Sequence, residues 1–319
     1  VKDTNVLMDV VIVGGGPAGL SAALLLGRSC RLVVVIDEGK ARNSVTYESH
    51  GYLTRDGVKP SDFKEIAIAQ MKAYTNVLIE QDVVEQVQQE QGIFRTLTRG
   101  GHTFSSKKII FATGMKDHLP PIPGLTEVYG TSVFPCPYCD GWERRNEPLA
   151  VMGNDERLFH FVKTIYSWSK DLIVLTNGSS TITGEERREM EAHHIQMIET
   201  EILAMKSNEG KLDEIVFIDG QSIPCKGGFL LDTGAKQATL IPSTMGIPMN
   251  ETGGYVTTSD YGHTAIEGVY IIGDAKNCFT GVIGAAREGY YIGELMNKDL
   301  IEEEWDAHRT HANHHPGLS

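Results

Sequence analysis

Two cysteines lie three positions apart in the stretch Phe134-Pro135-Cys136-Pro137-Tyr138-Cys139-Asp140-Gly141. A pair at that spacing closes into a small disulfide ring or stays open as a dithiol, and the open form holds an extra pair of electrons and their protons. Asp140, directly after the second cysteine, is a carboxyl that can give or take the proton accompanying each thiolate, which a structural disulfide does not need. A structural bridge and half of a zinc site are the competing readings. Zinc asks for a second Cys/His pair at ligand spacing, and Cys30, Cys225 and Cys278 are scattered singly, so no metal is expected. The residues point to redox chemistry at Cys136 and Cys139, with Asp140 handling protons.

Such a pair needs a scaffold, and the surrounding chain carries nucleotide-binding signals. Residues 9–13 read as a short buried strand running into Gly14-Gly15-Gly16-Pro17-Ala18-Gly19 and then into an apolar helix from Leu20. Gly14 permits the tight turn, Gly16 lets backbone amides approach a pyrophosphate, and Gly19 allows close helix packing; Pro17 and Ala18 open the helix that faces the phosphates. A second apolar strand, Leu32 to Ile36, ends in Asp37, where an acid can bind a ribose hydroxyl. Strand, glycines, helix, strand and acid in that order predict dinucleotide binding.

Residues 40–60 hold Arg42, Asn43, Ser49, His50 and Thr54 among few apolar positions and read as a hydrogen-bonding loop beside the cofactor. His50 there either touches the cofactor ring, shuttles a proton, or is an ordinary surface histidine. A helix over 61–74 and short strands near 77–79, 83–88, 94–98 and 108–111 follow, the last ending in the small-residue turn Ala112-Thr113-Gly114. Proline-bearing stretches at 119–124 and 241–248 read as crossings into and out of an inserted domain. After the second crossing, a buried strand ends in Gly273-Asp274, whose acid can hold a ribityl hydroxyl, and a helix from Gly281 offers the amides of Val282 and Ile283 to a ring carbonyl.

Length and charge narrow the class. A chain of 319 residues exceeds what one core usually organises, so two domains are expected. A net charge of -13 argues against a nucleic-acid backbone or an anionic membrane surface as partner. Five cysteines, an odd number, do not make a secreted disulfide framework, and no apolar run approaches membrane-spanning length; a cytoplasmic protein is expected.

The Gly-x-Gly-x-x-Gly with Asp37, Ala112-Thr113-Gly114, Cys136-Pro137-Tyr138-Cys139-Asp140 and Gly273-Asp274 stand in the order and approximate spacing seen in low-molecular-weight thioredoxin reductases. The sequence resembles these FAD-dependent pyridine nucleotide-disulfide oxidoreductases over nearly its whole length. The resemblance implies an α/β fold of two Rossmann-like three-layer nucleotide-binding domains, one inserted in the other. Residues 1–117 plus 245–319 would form the FAD-binding domain, and 118–244 an inserted NAD(P)H-type domain carrying the dithiol. It further implies a homodimer, Cys139 nearer the flavin, Cys136 facing the external substrate, and Asp140 as acid/base. A thioredoxin-like protein or a small dithiol or disulfide is the implied partner.

The inserted domain departs from that pattern. Where a second glycine triplet would stand, the chain reads Gly153-Asn154-Asp155-Glu156-Arg157-Leu158, and in place of a basic cluster it reads Thr176-Asn177-Gly178-Ser179-Ser180. A carboxylate beside a pyrophosphate and a missing arginine clamp each cost on the order of 1–3 kcal/mol, together about a hundredfold in affinity or more. A standard NADPH site is therefore not expected. Electrons would come from a reduced ferredoxin or similar carrier, or from a dithiol substrate with oxygen or a quinone as acceptor; a ferredoxin would need a local basic patch such as Arg144-Arg145 or Lys107-Lys108, pairs that also read as solvated turns. In the second case the chain resembles the gliotoxin- and holomycin-type dithiol oxidases; an NADPH-dependent reductase with an unusual site stays open. His308, His311, His314 and His315 read as a solvated tail, Met190, Met197 and Met205 as packing, and Cys278 as a lone buried thiol.

Overall fold

The computed structural model describes residues 2–313, with side chains described from 6 to 306. The chain divides into two compact units: one of residues up to 41, 61–116 and from 237 onward, the other of residues 42–60 and 117–236.

The strands of the first unit are β1 (Lys2–Val13), β2 (Val33–Asp37), β3 (Val77–Gln81), β4 (Val84–Glu90), β5 (Ile93–Thr98) and β6 (His102–Phe111). β1 pairs in parallel with β2 on one side and β6 on the other, so that Val10 lies between Val33 and Lys108, and β3 continues the sheet beyond β2. The strand Val269–Ile271 runs parallel to the end of β6, while β5 and then β4 pair antiparallel with its beginning. Residues 10–13 are buried on both faces because successive side chains of β1 enter opposite cores. Val10 and Ile12 meet Ala22 and Leu26 of helix α1 (Pro17–Arg28) and Ile292 and Met296 of the helix Gly281–Asn313. Val11 and Val13 meet Phe104, Phe111 and Tyr255 on the other side. The two helices touch through small residues: a Cβ on Gly289 would stand 2.0 Å from the Ala18 carbonyl oxygen.

The second unit has its own parallel sheet, ordered Gln196–Ile198, Leu172–Leu175, Leu149–Met152, Gly227–Leu230, Val133–Phe134. One face carries the helices Leu158–Ile165 and Gly184–Ala192 through Leu158, Val162 and Met190. The other carries an antiparallel sheet of Ile202–Asn208, Lys211–Phe217 and Ser222–Pro224, which buries Met205, Ile215 and Phe217. The fold is α/β with two Rossmann-type units, the larger part of the second lying between segments of the first along the chain.

Among the described residues, no helix is long and apolar enough to cross a membrane. The last helix runs through His308 and His311 to Asn313, and His314 and His315 lie outside the described residues.

Candidate active site

In the first unit, the stretches singled out by sequence converge where β1, β2 and β6 end, the edge at which such sheets bind nucleotides. Gly14 leaves β1 with φ 105° and presses on the next turn, since a Cβ there would lie 2.4 Å from the Ala112 carbonyl oxygen. A Cβ on Gly19 would lie 1.9 Å from the Gly14 carbonyl oxygen, so only glycine lets α1 fold back this tightly. Gly15 donates its N–H to Asp37 Oδ1 at 2.8 Å, while Asp37 Oδ2 accepts from Gly39 N–H at 3.1 Å and from the Lys64 ammonium. Gly273 approaches Ala18, and Asp274 Oδ1 accepts from the N–H and hydroxyl of Thr280 at 2.9 and 2.8 Å, shaping the loop before Val282 and Ile283.

These residues fit an FAD. α1 starts after Gly16 with no side-chain cap and no acid in its first turn, and the space beside Gly16 is open. The buried Thr113 Oγ1 has no hydrogen-bond partner. An uncapped helix N-terminus facing open space suits a pyrophosphate, with Asp37 placed for a ribose.

The matching loop of the second unit is built differently. α1 begins at Pro17, three residues after Gly14, whereas the helix beyond Gly153 begins at Leu158, five residues on. Asp155 fills the extra length: its Oδ1 accepts the Arg157 N–H at 2.8 Å, and Arg157 Nε and Nη2 grip the carboxylate at 3.1 and 2.5 Å. That guanidinium holds the Asp155 carboxyl below its usual range. Leu158 is fully buried against Gly153. In the loop after Leu172–Leu175, the Thr176 hydroxyl donates to the Gly178 carbonyl at 2.6 Å and Asn177 Oδ1 accepts from Ile202 N–H at 2.7 Å.

The dithiol stretch is also in the second unit. The edge strand Val133–Phe134 delivers the chain to Cys136, which caps the single helical turn Pro137–Asp140. Pro137 suits the first position of that turn, where φ is already helical and no N–H is needed. Cys136 and Cys139 are joined as a disulfide with Cα atoms 5.3 Å apart. Cys139 N–H donates to Cys136 Sγ at 3.2 Å, a donor placed to share thiolate charge when the bridge opens. Tyr138, between the cysteines, is exposed and meets Trp168 edge-on with ring centroids 5.3 Å apart.

Asp140 is half-buried. Burial pushes its carboxyl up, His50 opposes the rise, Glu143 adds to it and Arg144 subtracts, leaving it raised to about 7. A carboxyl in that range holds a proton and releases it near neutral pH.

Arg42, Asn43 and His50, expected beside the cofactor, pack in the second unit. Arg42 Nε and Nη2 bind Asp117 Oδ1 at 3.1 and 2.7 Å, and Asp117 also accepts from Tyr129 Oη at 2.9 Å and Thr233 Oγ1 at 2.6 Å. Burial works to raise Asp117, but Arg42, Thr233 and Tyr129 together hold it below the ordinary carboxylate range. Asn43 Nδ2 donates to Ser49 Oγ at 3.2 Å. His50 stands 3.7 Å from each of Glu48, Asp56 and Glu143. Sequence reasoning missed Asp117, Glu143 and Trp168; the only available signal was Glu143, an acid four residues beyond Cys139.

The basic pairs considered for docking are engaged within the chain. Lys107 pairs with Asp9 at 2.7 Å, Lys108 with Glu303, and Arg144 with Glu147 at 3.4 Å, while Arg145 lies 4.1 Å over the Trp142 ring. Among the described residues, no group of three or more His, Cys, Asp or Glu side chains is arranged to hold a metal ion.

This combination, a nucleotide cradle and a cysteine pair on separate Rossmann-type units, defines a flavin-linked disulfide oxidoreductase. The family model for pyridine nucleotide-disulphide oxidoreductases matches residues 8–155 and 170–289, and the chain belongs to that family. It is 28% identical over 301 residues to a probable thioredoxin reductase of Arthroderma benhamiae, covering 84% of this chain and 74% of that one. It is 27% identical to the thioredoxin reductase tcpT of Claviceps purpurea, covering 94% of this chain and 96% of that one. A solved structure of a putative thioredoxin reductase, TrxB, from Bacillus anthracis superposes with a TM-score of 0.89 at 32% identity, covering 93% of this chain and 99% of that one. The chain is thus a thioredoxin reductase-like oxidoreductase, and its family implies FAD.

Proposed function

We propose that this protein interconverts a dithiol and a disulfide at Cys136 and Cys139, with FAD held by the first unit and without a standard NADPH site in the second. The observation that carries the reading is the disulfide on one helical turn followed by a carboxyl raised to about 7. FAD, when bound through residues 14–19, Asp37, Thr113 and the 273–283 segment, supplies the source or sink for the electron pair.

The external thiolate attacks Cys136 Sγ, the bridge breaks, and Cys139 sulfur leaves with the bonding electrons. Asp140 gives that sulfur its proton. The second external thiol then displaces Cys136, which leaves an open Cys136/Cys139 pair and an oxidised external disulfide; the opposite flow reverses each arrow. Assigning Cys136 outward and Cys139 toward the flavin follows the family pattern, and the Cys139 N–H directed at Cys136 Sγ supports Cys136 as the thiolate that faces the partner.

The Asp155–Arg157 pair supports the absence of a standard NADPH site: a fixed anion and its guanidinium lie at the helix start where a pyrophosphate would bind. Relatives named as thioredoxin reductases favour a thioredoxin-like disulfide as partner. A small dithiol with oxygen as final acceptor, or a ferredoxin-type donor, are the other routes that need no NADPH. The protein acts in this reading as a cytoplasmic homodimer.

Anaerobic stopped-flow mixing with NADPH, NADH, reduced ferredoxin and dithiothreitol tests both parts. Dithiothreitol should bleach the flavin in the wild type and fail to do so in Cys139→Ser. Full-speed turnover by Cys139→Ser, or purified protein that refuses FAD, sinks the dithiol–flavin reading. Prompt bleaching by micromolar NADPH overturns the view of the second unit.

A further inference from the structure

Glu288 lies about two turns into the last helix, and its side chain reaches back to the loop that leads into that helix. Its Oε2 accepts the Gly273 N–H at 2.7 Å, and its Oε1 accepts from the Asn277 side-chain amide and stands 3.2 Å from the Lys276 ammonium. The Lys276 and Glu288 side chains are only 11% and 12% exposed, and Lys276 also donates to the Asp260 carbonyl at 2.6 Å. Two carboxylate oxygens thus meet three donors from one short turn. Gly273 sits there with φ 69° and ψ -149°, a backbone region open essentially to glycine alone and kept only where the surroundings hold it. On its other side the turn presses on the start of α1, since a Cβ on Gly273 would lie 3.1 Å from Ala18 Cβ. Gly289, beside Glu288, packs against the same Ala18. The glycine-rich helix start, the Gly273-Asp274 turn and the last helix therefore meet at one point within the first unit.

We propose that Glu288 is a positioning residue for the flavin, tying the Gly273–Asn277 turn to the last helix so that Asp274 and the amides of Val282 and Ile283 keep a fixed separation. This rests on FAD being held by the 273–283 segment. Glu288 acts through Asp274 and the helix start. The Thr280 bonds to Asp274 fix the carboxylate within the loop, whereas Glu288 fixes the loop against the helix, so the two sets of bonds are not interchangeable. An amide in place of the carboxylate offers one acceptor oxygen to three donors and turns its own N–H groups toward the rest. Lys276, buried and donating to Asp260, would then lack its anion.

The test follows release of FAD from the diluted holoenzyme, read as the rise of free-flavin fluorescence at equilibrium. Glu288→Ala should weaken FAD binding about tenfold to a hundredfold, and the flavin it still holds should show a visible band of altered shape, a signature that a merely structural glutamate would not move. Glu288→Gln keeps the side chain's bulk, should weaken binding about threefold to tenfold, and carries the test if the alanine variant does not fold. The decisive measurement is the cycle with Asp274→Ala: if Glu288 acts through Asp274, the double variant releases FAD little more readily than Asp274→Ala alone. Wild-type retention by the Glu288 variants, or losses that simply multiply in the double variant, overturns the proposal. Asp274→Ala separates this failure from a deeper one. Wild-type retention there removes the 273–283 segment from the flavin site, whereas weak binding by Asp274→Ala beside normal binding by Glu288→Ala removes only the positioning role.

Discussion

Replacing Asp140 by asparagine should change how the stability of the protein depends on pH, by an amount the structure sets. Burial lifts this carboxyl from 3.8 to about 7. At about 1.4 kcal/mol per pH unit, that displacement is worth about 4 kcal/mol of preference for the neutral form. The folded value lies above the unfolded one, so the folded protein takes up the proton. The stability linked to it is complete below 3.8 and is lost as pH rises through about 7. Integrating the linkage, about 2 kcal/mol of the loss falls between about pH 5.5 and about pH 8.5. An asparagine side chain has no titrating group, so Asp140→Asn should gain about that much on the wild type over the interval. Urea unfolding of the oxidised protein at both pH values measures it, the expected change being a relative midpoint shift of about 1 M. A difference between variant and wild type that stays flat across the interval refutes the account of a proton held by burial. The rate of bridge opening should fall by about a hundredfold or more in the same variant.

Three further outcomes test other parts of the molecule. Asp155→Gly removes the fixed anion at the second helix start and should tighten NADPH binding about tenfold, read by fluorescence titration; unchanged affinity would mean that Asp155 does not obstruct the loop. Gly19→Val places a side chain where even a Cβ would lie 1.9 Å from the Gly14 carbonyl oxygen, and the purified protein should carry much less flavin, measured by absorbance of the released cofactor. Asp117→Asn removes the carboxylate that accepts from Arg42, Tyr129 and Thr233 and should destabilise the second unit by about 1–3 kcal/mol, seen as a lower melting transition.

The sequence made the elements around the first fingerprint legible because their residues leave the backbone little choice. Gly14, Gly19 and the apolar run before them mark a turn, a close approach and a buried strand, and each stands where it was expected. β1 begins several residues earlier than its apolar run suggests, since its first residues pair with His102 and Thr103 through backbone bonds that hydrophobicity does not report. Met190 and Met205 lie buried in the second unit, and Met197 packs half-buried beside Met190, as the reading of all three as packing expected. The polar segment 42–60 was harder to place. It is tied to the second unit by contacts such as the ion pair of Arg42 with Asp117, whose partners are 75 residues apart and carry no periodic signal. For the same reason the surroundings of His50 were invisible: Glu48 and Asp56 become its neighbours through a loop closed by Ser49 and Val58, and Glu143 arrives from another segment.

Besides the disulfide and the N–H directed at Cys136 Sγ, the turn that carries the sulfurs is held by main-chain bonds. Cys139 N–H and Asp140 N–H both reach the Cys136 carbonyl at 3.2 Å, and Gly141 N–H reaches the Pro137 carbonyl at 2.8 Å. Cleaving the bridge therefore leaves the main chain clamped in the same coil. Such a device stores and releases charge as a rigid capacitor would, with little of its cycle given to rebuilding the frame, and its speed rests with the traffic of protons and partners.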